Sequence, residues 1–178
     1  MPLLDGDRLV EDIFARVADD EPLPEGAALV SIDRLQREGD TLAGRNAPLG
    51  VALPPGTNPA TLKPWLPRLA LVALTLPKHR DGRAFTQARA LREYHGYTGE
   101  IRATGHVISD QYAALLRCGV TTVAVPEGTD ATTWTRMRDT IPLAYQPAMT
   151  GDGDTNLLRR RVSLARHDAG ANGAPGGV

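Results

Sequence analysis

A chain of 178 residues holds one ordinary domain and is too short for two with separate cores. Aromatic residues make up only 4%, so the core has to come mostly from Leu, Val, Ile and Ala, and 20 Lys and Arg against 21 Asp and Glu lack the basic surplus of a dedicated nucleic-acid binder. The single cysteine, Cys118, excludes a disulfide framework, a zinc ribbon, a CxxC redox pair and an iron–sulfur cluster held by this chain alone.

Residues 1 to about 25 read as a short amphipathic helix followed by a proline-punctuated connector, EPLPEG. The opening MPLLDGDRLVED turns acidic too early for a signal peptide, and no stretch approaches the ~18 consecutive apolar residues of a membrane span. A cytoplasmic protein is expected, with neither membrane nor nucleic acid among its partners. Residues 26–148 carry the periodic core. Apolar runs at Ala27–Ile32, Leu49–Leu53, Leu69–Leu76, Glu100–Thr104 and Thr121–Val125 alternate with helical patterns. Those patterns start at Asp33 and near Asn58-Pro59, then span about Arg83–His95, Ser109–Cys118 and Asp130–Thr140.

Such alternation predicts an α/β domain with a parallel sheet of about five strands flanked by helices, in the open, doubly wound form. The alternative is a partial TIM-like barrel of the same units, with Glu100 and Arg102 on its concave face; a full barrel needs ~250 residues. In the helix from Arg83, Ala84, Ala88, Leu91 and His95 form one buried stripe, with Asp81 or Gly82 as N-cap and Gly96 as the closing residue. In the next helix Tyr112, Leu115 and Leu116 face inward and Gly119 closes. Residues 149–178 turn polar and Gly-rich, which predicts a largely disordered tail with a helical turn or two at Asn156–His167.

Function-bearing residues concentrate in Pro77-Lys78-His79-Arg80-Asp81-Gly82-Arg83, between a strand end and a helix start. Ligands of open α/β sheets bind at that edge, and a helix N-terminus there favours anions. Lys78, Arg80 and Arg83 with Asp81 and Gly82 are therefore candidates for holding a sulfite, sulfate or phosphate group, with arginine supplying forked donors. The plainer reading is a solvated turn in which Asp81 caps the helix and pairs with Arg83. The strand Glu100-Ile101-Arg102-Ala103-Thr104 puts two charges on one face, where a covered parallel strand should be apolar. That pattern fits a guarded edge strand, a face covered by a partner, or the floor of a polar pocket that adds Arg102 to the anion site. Cys118 reads as a buried inert thiol, and His106 with Asp110 as a turn or cap. His79, His95, His106 and Asp110 have no metal-ligand spacing, and the chain lacks GxGxxG, GxSxG and P-loop patterns, so neither metal nor cofactor is expected.

The run LPKHRDGRAFTQARALREYHGYTGEIRATGHVISDQYAALLRCGV, Leu76–Val120, resembles an uncharacterised bacterial family, domain of unknown function 934. The matching pieces include Pro77-Lys78, Asp81-Gly82-Arg83, Ala88-Arg89, Leu91-Arg92-Glu93, Gly96-Tyr97, Arg102-Ala103, Asp110-Gln111 and Arg117-Cys118-Gly119. Arg89, Arg92, Asp110 and Gln111 are candidate supporting residues from these pieces. The chain departs from the family pattern at Thr75-Leu76, where an acidic–aromatic pair is usual, at His79, where an aromatic is usual, and at Thr86, where serine is preferred. The family is described as a probable oxidoreductase involved in sulfite reduction, its genes lying beside those of sulfite reductase.

The resemblance implies sulfate assimilation and cysteine biosynthesis as the setting, and sulfite reductase or its electron donor as partner. Three functions remain open at this point. The first is an accessory protein of assimilatory sulfite reduction that aids electron delivery or binds a sulfur oxyanion. The second is a small enzyme acting on a sulfonucleotide, phosphate or sulfur oxyanion, whose acid–base or redox candidates are Asp81, Asp110, His79, His106 and Cys118. The third is an anion-sensing module without chemistry. No catalytic residue is assigned by any of them.

Overall fold

The computed structural model describes residues 1–140, and its frame is one mixed sheet of eight strands, curled into a half-barrel, with four helices. The expected tail, including Asn156–His167, lies outside the described residues. The strands are β1 (Leu3–Asp5), β2 (Arg8–Val10), β3 (Ala15–Arg16), β4 (Ala28–Ser31), β5 (Leu49–Leu53), β6 (Leu69–Leu76), β7 (Glu100–Gly105) and β8 (Thr122–Ala124). The helices are α1 (Ile32–Ala43), α2 (Arg83–Glu93), α3 (Tyr112–Arg117) and α4 (Ala131–Asp139). None of them is long and apolar enough to cross a membrane.

The expected parallel sheet of about five strands flanked by helices is not what forms. The strand order is β2-β1-β8-β7-β6-β5-β4-β3. Strands β3 to β8 run parallel in sequential order, while β1 pairs antiparallel with both β8 and β2. Sequential order is the physical reason for the difference. With every right-handed crossover stepping the same way, the helices fall on one face, whereas a doubly wound sheet reverses direction and is covered on both. The partial-barrel alternative shares the order and the curl but, written with parallel strands alone, also lacks the antiparallel pair β1–β2.

Chain length alone demands the curl. From Val10, the end of β2 at one sheet edge, to Ala15, the start of β3 at the other, there are five Cα steps. They reach at most ~17 Å, whereas seven interstrand spacings in a flat sheet total about 34 Å. The edges must therefore approach, and residues 11–14 cross the concave face as a strap.

The convex face carries the main core. Val30, Val51, Leu53, Val72, Leu74, Leu76, Ile101, Ala103 and Val123 point to it from the strands. Leu35 and Leu42 of α1, Ala84, Ala88 and Leu91 of α2, Leu115 of α3 and Trp134 of α4 meet them. The alanines of α2 form the expected stripe and let that helix lie close on the sheet; His95 falls just past the helix and is half-buried. A bulge at Ala70 explains why both Leu69 and Val72 face the helices. The concave face has a smaller cluster, Phe14, Leu29, Leu71 and Ala73.

Other local expectations also change. Residues 1–25 contain three short strands and no helix. Asp5-Gly6-Asp7 makes a tight hairpin turn, with Gly6 at φ 61° and Asp5 opposite Arg8. Instead of a helix at Asn58-Pro59 there are two 3-10 turns, Pro59–Leu62 and Leu66–Arg68, because Pro64 and Pro67 break any longer ladder. Strand β7 lies in the sheet interior between β6 and β8, so its charges do not guard an edge.

Candidate functional site

The carboxyl ends of β5, β6 and β7 bring three connections to one rim. Gln111 joins two of them: its Nε2 donates to the His79 carbonyl at 2.6 Å while its Oε1 accepts from Ile108 N–H at 3.2 Å. The His106 N–H donates to Leu76 O at 2.8 Å, so the connection after β7 is bonded directly to the end of β6.

Beside this rim lies a cleft of about 350 Å³ between the turn 56–59 and one face of α2. Arg83, Thr86, Gln87 and Ala90 recur at helical spacing and form the α2 wall; Gly56, Thr57, Asn58 and Pro59 form the other. Gly56 sits at φ 84°, and a β-carbon there would come within 3.3 Å of Arg83 Nη1. Only glycine both makes this turn and leaves that nitrogen room. Asn58 caps the next 3-10 turn through its side chain, which accepts from Ala60 N–H at 3.0 Å.

Arg83 is clamped rather than free. Its Nε donates to Asp81 Oδ1 at 2.9 Å and its Nη2 to Oδ2 at 2.5 Å, while Asp81 Oδ1 also accepts the Arg83 backbone N–H at 3.1 Å. The Arg83 hydrogen bonds hold the Asp81 carboxyl down at about 2, so the clamp stays ionised at neutral pH. Nη1 has no hydrogen-bond partner among the described residues and is the donor that faces the turn. Gly82 occupies the N-cap position of α2. Lys78, His79 and Arg80 are exposed on the rim, and Lys78 and Arg80 make no ion pair among the described residues.

Gln87 is only 4% exposed. Its Nε2 donates to Pro54 O and Thr57 O, both at 2.8 Å. Two carbonyl partners consume both amide hydrogens, which fixes the orientation of the amide and ties the turn to α2.

The remaining sequence candidates lie elsewhere. Arg102 is on the concave face, opposite Ala73 and three residues in from the rim end of β7, where Gly105 pairs with Leu76. It is 2% exposed, bonded through Nε to Glu100 at 2.9 Å and through Nη1 to Asp12 at 2.7 Å, and stacked 5.4 Å from the Phe14 ring centroid. Thr122 donates to the same Glu100 oxygen. The polar face of β7 is thus covered by the chain's own strap, and among the described residues the hydrogen bonds and ion pairs of Arg102 go to Glu100 and Asp12, not to residues 78–83. Arg92 is at the far end of α2, where it donates to the carbonyls of Gly119 (3.0 Å), Tyr97 (2.5 Å) and Gly99 (2.9 Å). Arg89 pairs with Glu93 at 2.8 Å, and Asp110 is exposed beside Ser109. Burial pushes the half-buried Cys118 thiol up, away from a reactive thiolate. Among the described residues no cluster of His, Cys, Asp or Glu is arranged to hold a metal ion.

Sequence reasoning missed Gly56, Thr57, Asn58, Thr86 and Gln87. The legible signal was a polar residue, Gln87, inside the small-residue stripe of α2, facing a Pro-Pro-Gly turn.

A family profile described as "Bacterial protein of unknown function (DUF934)" matches residues 50–154, more than half of the chain. The chain belongs to that family. Both walls of the cleft, the 77–83 connection and Arg102 lie inside the matched segment, whereas the strap residues Asp12 and Phe14 precede it. Comparison with curated proteins gave no match.

Proposed function

We propose that this protein holds a small anion, a sulfur oxyanion or a phosphate group, at the rim cleft and serves assimilatory sulfite reduction as an accessory protein. Arg83 carries the reading: a guanidinium oriented by Asp81 and aimed with an unpaired Nη1 at the turn, next to the N-terminus of α2. Preorganised charge-assisted donors are the stronger class of hydrogen bond, and the helix N-terminus adds field of the same sign. Lys78 and Arg80 extend that field outward, toward a partner, sulfite reductase or its electron donor, that presents acidic groups there. The setting rests on the family resemblance, and the chemistry on the rim. Arg102 is dropped from the anion site because two carboxylates already compensate it.

The test is calorimetric titration of the full chain with sulfite, sulfate and phosphate. One anion is expected to bind, and Arg83→Ala to weaken it about tenfold or more, the equivalent of one charge-assisted contact. Absence of binding by wild type, or equal binding by Arg83→Ala, overturns the proposal.

A further inference from the structure

We infer that Gln111 is a positioning residue of the rim anion site, tying the 77–82 connection, and through Asp81 the Arg83 guanidinium, to the fixed start of α3. The inference rests on the anion reading above and adds to it the residue that holds the site in shape.

The connection between β6 and α2 has little else to hold it. Pro77, Lys78, His79, Arg80 and Gly82 are exposed, and Asp81 is half-buried. Within the connection the Asp81 N–H donates to Lys78 O at 2.9 Å, closing a turn with His79 and Arg80 at its corners. Asp81 in turn fastens Arg83, whose backbone belongs to α2 but whose guanidinium points where that carboxylate holds it. These bonds are local and would survive a swing of the whole turn. Among the described residues one hydrogen bond reaches residues 77–82 from beyond α2: Gln111 Nε2 donates to His79 O at 2.6 Å.

A tether fixes its load only if its own end is fixed. Tyr112, the next residue, is fully buried, stands edge-on to Trp134 with ring centroids 5.7 Å apart, and donates from its hydroxyl to Gly6 O. Gln111 Oε1 meanwhile accepts the Ile108 N–H at 3.2 Å. A flip of the amide would therefore set donor against donor at Ile108 and acceptor against acceptor at His79. Donors already in place bind more tightly than donors that the ligand has to order on arrival. With the tether cut, an anion at Arg83 Nη1 has to order the connection as it binds.

Sulfite, sulfate and phosphate would be titrated into wild type, Gln111→Ala, Arg83→Ala and the double variant. Gln111→Ala is expected to weaken whichever anion binds by about three- to tenfold, the equivalent of one lost hydrogen bond. In the Arg83→Ala background the same change should matter less than about 1.5-fold, because Gln111 acts through Arg83. An equal factor in both backgrounds overturns the positioning role, since a loosened fold gives that result too. Trypsin reads the tether with no anion present. Cleavage after Lys78 should accelerate in Gln111→Ala and in Gln111→Glu, whose carboxylate still accepts from Ile108 N–H but has nothing to donate to His79 O. Cleavage of Gln111→Glu at the wild-type rate overturns the tether, and that comparison stands should Gln111→Ala not fold. If an anion binds in an Arg83-dependent way and Gln111→Ala holds it as tightly, this inference fails and the anion reading stands. If wild type binds none of the three, the anion reading fails and takes this inference with it.

Discussion

Replacing Arg102 by alanine should destabilise the protein by about 3–5 kcal/mol, the usual consequence of breaking a buried ion pair from one side. The side chain is 2% exposed and ties three pieces of chain together: Glu100 on its own strand, Asp12 on the strap, and the Phe14 ring. Asp12→Ala should cost less, about 1.5–3 kcal/mol, because it removes one charge-assisted bond and leaves Arg102 paired with Glu100. Asp12 also accepts the Phe14 N–H at 2.9 Å, so its loss frees the strap at two points. Since both substitutions remove the same latch, the double variant should be about as stable as Arg102→Ala alone, with a coupling of about 1.5–3 kcal/mol. Urea unfolding gives the three free energies. Trypsin gives the location: cleavage after Arg16, in the short edge strand β3 that follows the strap, should accelerate in Asp12→Ala under conditions where the core remains folded. Additive losses below about 1 kcal/mol with unchanged cleavage at Arg16 would refute the latch.

Two further outcomes follow from single positions. Gly105→Ala should cost at least about 2 kcal/mol in urea unfolding, because Gly105 sits at φ 91° and a β-carbon there would come within 2.4 Å of Leu76 O; Gly26→Ala, with nothing within 4 Å, should change stability by less than about 0.5 kcal/mol. Tyr112 donates to Gly6 O at 2.6 Å, and burial pushes its phenol up to about 12, so the unfolded chain loses this proton first and stability falls as pH rises from about 10 to 12. Tyr112→Phe should be less stable by about 1 kcal/mol at pH 7 and show a shallower alkaline decline; parallel pH curves for the two proteins would contradict this.

Strand positions and helix stripes were readable because they are local. The runs at Leu49–Leu53 and Leu69–Leu76 form strands at those bounds, and Gly96 and Gly119 follow their helices at φ 61° and 95°. The arrangement of those strands was not readable. A right-handed βα crossover looks the same in sequence whether the next strand continues or reverses direction, so singly and doubly wound sheets share one local pattern. The N-terminus failed for a different reason. LLDGDRLV carries enough apolar spacing to imitate a helix, while its Asp-Gly pair between two apolar runs was the hairpin signal that should have outweighed it. The partner of Arg102 could not be found locally at all, since Asp12 lies 90 residues away. The two charges on β7 showed that something polar covered that face. They did not show that the cover was the chain's own strap.

The charge balance on the two polar regions explains why only one of them can attract an anion. On the concave face one guanidinium, Arg102, lies among two carboxylates, Asp12 and Glu100, and the strap shields them from water. An incoming anion would meet a net negative cluster at low local dielectric, where like-charge repulsion is least screened. At the rim, Asp81 balances Arg83 in charge but occupies only Nε and Nη2, so it orients the third nitrogen without covering it. Lys78 and Arg80 then leave the rim net positive. The same residue type therefore has opposite uses on the concave face and at the rim: Arg102 is compensated on both sides and fastens the strap, while Arg83 is compensated on one side and keeps a donor facing the cleft.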